Sequence, residues 1–209
     1  MPVGVPRVPF EFSEDNDINI NNINNDEGNW VDLHHRVARM RLLFIFKEID
    51  DELTAQITGL MVFLSMEDPT KDQFLFLHTR GGLAAYGVTI CGTMKGLAAD
   101  VQTTAMGSVA STGCFILAAG TSTKRVAMPN ARIMMHQPAS SFFDSSTSHQ
   151  LTESMGNITN LRDYMVDVYV QKTGKPSSVV SEYMERDAFM SATEAQAFGL
   201  VDLIAEGKR

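Results

Sequence analysis

Ser111 stands where a serine can be made reactive. It follows a strand-like run, Val101 to Met106, and precedes an apolar segment, Phe115 to Ala119, that ends at Gly120. That pattern reads as strand, tight turn, helix. Ala110, Thr112 and Gly113 are small enough for a substrate backbone to come close. The first turn of a helix also offers unpaired N–H groups and the positive end of its dipole to a developing oxyanion. A serine hydroxyl is too weakly acidic to attack an amide at neutral pH, so it needs a base and a group that orients the base. Among the five histidines, His136 sits where a strand breaks at a proline, a loop position that can bring an imidazole over a neighbouring strand-helix turn. Asp187 lies at the join between a helix and Phe189. Each has a plainer reading: Ser111 as a helix cap, His136 as a structural strand end, Asp187 as a solvated loop carboxylate. Taken singly, the residues leave both readings open.

The elements that would hold these side chains alternate. Leu42 to Phe46 reads as a compact buried strand, and Asp50 or Asp51 caps a helix whose apolar positions Leu53, Ile57, Leu60, Met61 and Leu64 share one face. A short strand, Phe74 to Leu77, leads to the Gly81-Gly82 pair and a helix from Ala84 to about Leu97. The Val101 strand and the Ser111 helix follow, which predicts an α/β fold with a parallel sheet and right-handed crossovers. Arg125 to Met128 and Arg132 to Met135, joined at Pro129-Asn130, read as a hairpin or as neighbouring edge strands. From Leu151, the residues Met155, Ile158, Leu161, Met165, Val168 and Tyr169 trace one stripe of a long helix, weakened by Gly156, that is expected to project and offer its stripe to another subunit. A short helix from Ser177 to Glu185 precedes Asp187. Ser191 and Glu194 form a capping box for a last helix that ends at Gly199, and Leu200 to Ile204 closes the chain as a strand.

The chain of 209 residues carries a formal charge of -8, which disfavours nucleic acid and anionic membrane as partners. No apolar run is long enough to span a membrane, and the first ten residues lack a signal or transit-peptide pattern. Cys91 and Cys114 lie in apolar segments without metal-like spacing and read as buried free thiols in a reducing compartment. Between Glu11 and Asn29 stand seven asparagines and six carboxylates with no lysine or arginine, the composition of a flexible arm. Asp15, Asp17, Asn19 and Asp26 fall on part of a calcium-loop template, but Ile20 occupies its glycine position and an aspartate replaces its bidentate glutamate. The expected organisation is therefore 1–29 as an N-terminal segment with the arm and 30–209 as the folded domain.

Three segments, Ala105-Met106-Gly107 through Ser111 to Phe115, Arg132 to Pro138, and Glu185 to Ala192, together resemble the Clp protease proteolytic subunit family, self-compartmentalising serine peptidases. Met1 to Phe10, Trp30-Val31-Asp32 and Gln137 to Phe142 are similar to its plastid-encoded form. The resemblance implies the ClpP/crotonase spiral of βαβ units with a projecting handle helix. It implies Ser111 as nucleophile, His136 as general base and Asp187 as orienting carboxylate, with the N–H groups of Gly82 and Thr112 as oxyanion hole. Glycine at 82 is expected because a side chain would obstruct the approaching carbonyl. It further implies stacked heptameric rings shared with related subunits, an AAA+ Clp ATPase that spends ATP to thread unfolded proteins, no metal or organic cofactor, and a chloroplast stromal location without a transit peptide. Phe74 and Phe76 fall where the family exposes aromatics for docking the ATPase.

The chain departs from the family pattern in places. His78-Thr79-Arg80-Gly81-Gly82 stands where the family reads Asn-Ser-Pro-Gly-Gly, which removes a fixed φ and adds a charge. Val109 occupies the first glycine position of G-x-S-x-G, so the nucleophile-elbow signature is lacking. Ser140 to Asp144 replaces a glycine-bearing strand that pairs opposing rings. Two rival functions fit the same fold: a catalytically silent ring subunit, and a crotonase-type acyl-CoA enzyme, which has no use for the three side chains together.

Overall fold

The structure is a computed structural model that describes residues 6–9, 30–138 and 148–205. The chain divides into two compact units, Met1–Leu42 and Leu43–Arg209. In the first unit, β1 (Arg7–Pro9) pairs antiparallel with β2 (Trp30–Asp32), Arg7 opposite Asp32, and α1 (Leu33–Arg39) follows. Arg36 and Arg39 occupy the last turn of α1, where cations suit the helix dipole. The acid- and asparagine-rich arm, including the calcium-template residues Asp15, Asp17, Asn19 and Asp26, lies outside the described residues, as do Ser140 to Asp144.

The second unit is built on a mixed sheet whose strands are β3 (Leu42–Ile45, all but its first residue in this unit), β4 (Gln73–Thr79), β5 (Val101–Ala110), β6 (Arg125–Ala127), β7 (Arg132–Met135), β8 (Ala188–Ser191) and β9 (Leu203–Ile204). Its helices are α2 (Asp51–Glu67), α3 (Ala84–Gly96), α4 (Thr112–Ala119), α5 (Ser148–Thr173), α6 (Ser177–Met184) and α7 (Ala192–Phe198). The main path runs β3-β4-β5-β6-β9, and β7 joins β5 to β8. The β4–β5, β5–β6, β5–β7 and β6–β9 pairs are parallel, as the alternation of strand and helix requires.

The ten-residue β5 is the organising strand. One edge is taken by β4. The other is used twice, Thr103–Ala105 against Arg125–Ala127 and Ser108–Ala110 against Arg132–Met134. Of the two expected arrangements, a hairpin or neighbouring edge strands, the hairpin is therefore not formed. Met128 N–H donates to Ala105 O and Ala131 N–H to Met128 O, so the Pro129-Asn130 connection steps along β5 instead of folding back.

Local signals in the sequence act as the physics predicts. Asp50 accepts the Leu53 N–H at 2.7 Å, which caps α2 with Asp51 and Glu52 in its first turn. The Ser191/Glu194 capping box starts α7, and Gly199 ends it at φ 96°. Two expectations need correction. Leu42 to Phe46 is half-buried, with Leu43 and Ile45 inside and Phe44 and Phe46 outside, because β3 lies at the end of the sheet path and covers the core with one face. The last strand is only Leu203–Ile204: Leu200 and Val201 are buried ahead of it, and Asp202 is drawn to Arg125.

Every residue of α4 is buried, since the helix packs on β5, α3 and α5 at once. Phe115 meets the Tyr169 ring edge-on at 5.6 Å between centroids. The 26-residue α5 rises about 39 Å. Its described side chains are buried only at Met165, Val166, Val168 and Tyr169, while Ile158 and Leu161 are half-exposed. Among its described side chains, the apolar stripe thus enters the core at its C-terminal end.

Candidate active site

The register of the sheet brings three distant residues to one place. Ala110 pairs in parallel with Met134, and the Ser111 N–H continues that pairing by donating to Met134 O at 2.9 Å. On the other edge of β7, Met135 lies opposite Ala188 in the antiparallel pairing with β8. One step further along that ladder sets His136 beside Asp187. The side chains close the chain of contacts: His136 Nε2 is 2.7 Å from Ser111 Oγ, and His136 Nδ1 is 3.1 Å from Asp187 Oδ1. The residue after the imidazole is fixed twice. Gln137 N–H donates to Met184 O at 2.8 Å, and Arg162 Nε donates to Gln137 Oε1 at 3.0 Å. His136 is partly covered and Asp187 is 63% exposed, so the carboxylate is the open end of the series.

Ser111 takes φ 57° and ψ -124°, a conformation costly for a side-chain-bearing residue, at the junction of β5 and α4. This is the sharp strand-to-helix turn of a nucleophile elbow, reached without the first glycine of its signature. Val109 can stand there because it is a core sheet position, fully buried and paired with Thr79 and Ile133. The second glycine is required, since a Cβ on Gly113 would stand 2.6 Å from Thr79 Cγ2.

The Gly81-Gly82 turn lies against Ser111 and Thr112, and it is held without proline. Thr79 Oγ1 donates to Lys47 O at 2.7 Å and accepts the Gly81 N–H at 3.1 Å. Ile49 N–H donates to Gly81 O at 2.9 Å, and Thr112 Oγ1 donates to Gly82 O at 2.7 Å. The reason for glycine at 82 differs from the expected one: a Cβ there would strike Ile49 O, on the packing side of the turn. Gly81, which the sequence reading passed over, is the glycine that faces the serine. It has φ 105°, and a Cβ on it would lie 2.8 Å from Ser111 Cβ and 3.1 Å from Thr112 N. Adjacent glycines in a turn were the visible signal. Which of them met the serine depended on the turn's backbone.

His78 lies apart from this arrangement. Its Nδ1 accepts the Ser108 N–H at 3.2 Å where the β4–β5 register shifts, and Gly107 leaves room for the ring. Phe74 and Phe76 are half-buried on the face of β4 opposite Leu75 and Leu77, with Phe76 stacked on Phe44 at 5.1 Å between centroids. Cys91 and Cys114 are both buried and free, and burial pushes the Cys114 thiol up to about 12 and the Cys91 thiol higher still. Among the described residues, no group of three His, Cys, Asp or Glu side chains is placed to hold a metal ion, and no helix is long and apolar enough to cross a membrane.

A family model described as Clp protease matches residues 24–208. The ATP-dependent Clp protease proteolytic subunits of Lactuca sativa, Nicotiana tabacum and Spinacia oleracea are each 50% identical to this chain over 205 residues, covering 98% of it and 99% of each relative. Similarity of that extent leaves room for only one assignment of descent, and the chain belongs to the Clp protease family.

Proposed function

We propose that this chain is a serine endopeptidase subunit of an ATP-dependent Clp protease, with Ser111 as nucleophile, His136 as general base and Asp187 as the carboxylate that orients it. The observation that carries the reading is the unbroken series Ser111 Oγ, His136 Nε2, His136 Nδ1, Asp187 Oδ1, with its two links at 2.7 and 3.1 Å, in a chain of this family. His136 takes the hydroxyl proton as Ser111 attacks a peptide carbonyl, and returns it to the leaving amine. The imidazolium formed between these steps is stabilised by Asp187, which also fixes the tautomer with the proton on Nδ1. The tetrahedral oxyanion falls to the backbone N–H groups of Thr112, at the first turn of α4, and Gly82, whose carbonyl is tethered to the same threonine. Water then releases the acyl-enzyme by the same proton path. Acyl transfer of this kind is chemically complete without a metal or organic cofactor.

The relatives' names specify ATP dependence and a proteolytic subunit. This supports a partner Clp ATPase that threads unfolded chains, with this chain built into stacked heptameric rings beside related subunits. The half-buried Phe74 and Phe76 suit the docking of that partner, and the plant relatives support a chloroplast stromal location. The test is fluorescent fluorophosphonate labelling of the assembled complex. Label on this chain that vanishes in Ser111→Ala supports an activated serine. An unlabelled chain, in a particle whose other active chains do label, overturns the catalytic role and leaves the silent ring subunit.

A further inference from the structure

The turn that lies against Ser111 is preceded by a charge that no other described residue uses. Arg80 immediately precedes Gly81 and is exposed, and among the described residues it makes no ion pair or hydrogen bond. Lys47 pairs with Asp50 at 2.9 Å and Arg162 bonds Gln137, while Arg186, next to Asp187, is likewise exposed and without an ion pair or hydrogen bond among the described residues. The Asp187 carboxylate faces His136.

The surroundings decide what can reach it. Thr79 is buried, its hydroxyl spent on Lys47 O and Gly81 N–H, and its methyl group is packed toward Gly113. The inner side of the turn is thus closed by the core, so a peptide reaches Gly82 and Ser111 from solvent, to which Arg80 is also exposed. An extended chain advances about 3.3 Å per residue. Arg80 Cα lies about 3.8 Å from that of Gly81, which packs on Ser111, so Arg80 stands within about two residue lengths of the serine turn. A guanidinium presents a planar fork of donors and keeps its charge at any working pH, and its best partner is a carboxylate.

Resting on the peptidase reading, we infer that Arg80 is a specificity-determining residue that favours substrates carrying a carboxylate within about two residues of the scissile bond. The carboxylate can come from an aspartate or glutamate side chain or from a free C-terminus. The charge raises the fraction of productive encounters and holds the bound peptide in register, without entering the proton transfers.

The experiment uses the assembled complex and matched quenched fluorescent peptides with Glu, Gln or Lys at each of the two positions on either side of the cleaved bond. A second set compares free and amidated C-termini close to that bond, which separates the two carboxylate sources. The native chain should cleave the best Glu peptide roughly tenfold more efficiently in kcat/KM than its Lys counterpart. Arg80→Ala should bring that ratio close to one, and Arg80→Glu should invert it. Fluorophosphonate labelling of Ser111 should be unchanged in both. Loss of labelling from the native chain would defeat the peptidase reading itself. Unaltered ratios in Arg80→Ala would overturn the specificity role. So would an equal loss on every peptide, or failure of the variant complex to assemble, since these place Arg80 in general electrostatics or in a subunit contact.

Discussion

Gly81 and Ser111 are packed so closely that a methyl group on the glycine would sit 2.8 Å from Ser111 Cβ, with Ala110 O at 3.0 Å and Thr112 N at 3.1 Å. Two of these three obstacles are backbone, and the φ of 105° is itself hostile to alanine. Gly81→Ala should therefore displace the serine turn, slow fluorophosphonate labelling at least a hundredfold and cost about 1–3 kcal/mol of stability. Gly59→Ala, on a stretch of α2 with open space around it, is the contrasting control and should raise stability by up to about 1 kcal/mol. Labelling rates and denaturant unfolding of the two variants check both expectations.

Thr112 ties the start of α4 to the glycine turn through its hydroxyl, 2.7 Å from Gly82 O. Thr112→Val keeps the shape and leaves that carbonyl without this donor. The expected result is about a tenfold loss in kcat with little change in assembly. Thr112→Ser should recover most of the loss. Peptide turnover with all three chains separates the hydroxyl from the methyl group.

Arg125 and Asp202 form a buried link between β6 and the C-terminal segment, with Arg125 Nη2 to Asp202 Oδ1 at 2.6 Å and further bonds from Arg125 to Lys172 O and Gly199 O. Burial pushes the Asp202 carboxyl up, but the Arg125 side chain and backbone N–H more than offset it and hold it below the usual aspartate value. A lowered carboxyl contributes stability that is complete above its unfolded value, about 3.9, and is lost as pH falls through the lower folded one. Asp202→Asn should thus cost about 3 kcal/mol at neutral pH. It should also flatten the acid limb of the stability curve below about pH 4. Urea unfolding across pH 3–7, on both chains, is the check.

Both thiols are sealed in the core, and burial raises them away from the thiolate form that reacts. Iodoacetamide at pH 8 should leave Cys91 and Cys114 unmodified in the native complex and alkylate both after denaturation. Intact-mass measurement reads the two states directly. Rapid alkylation of either cysteine in the native complex would contradict the packing around α4.

The parts of this structure that could be read from sequence are those set by neighbours in the chain. Asp50 and Ser191 cap their helices because a side-chain oxygen reaches an N–H three residues on, and Gly199 ends α7 because it alone there accepts a left-handed φ at low cost. The strand, turn and helix around Ser111 were legible for the same reason. The meeting of Ser111 with His136 and Asp187 was not, since it depends on β7 pairing with the second half of β5 and with β8, registers set by contacts across 25 and 51 residues. Family resemblance supplied that placement, not spacing. The positive φ of Ser111 also escaped local reasoning, because Val109 hides the usual glycine mark, and the sequence left a hairpin and neighbouring edge strands both open at Pro129-Asn130, because two short strands and a brief connection suit either as well as the shared β5 edge.

The Ser111 amide is bonded to Met134, two residues before His136, whereas Asp187 sits one position ahead of β8, which among the strands of the main sheet is paired only through β7. The three side chains are therefore not equally anchored. Serine and imidazole ride on one block of parallel backbone and travel together. The carboxylate hangs from a strand held in the sheet through β7. A disturbance arriving through α6 or β8 would leave serine and histidine in contact but strip the imidazole of the group that sets its tautomer and steadies its charge, so the site would keep its shape and lose most of its turnover.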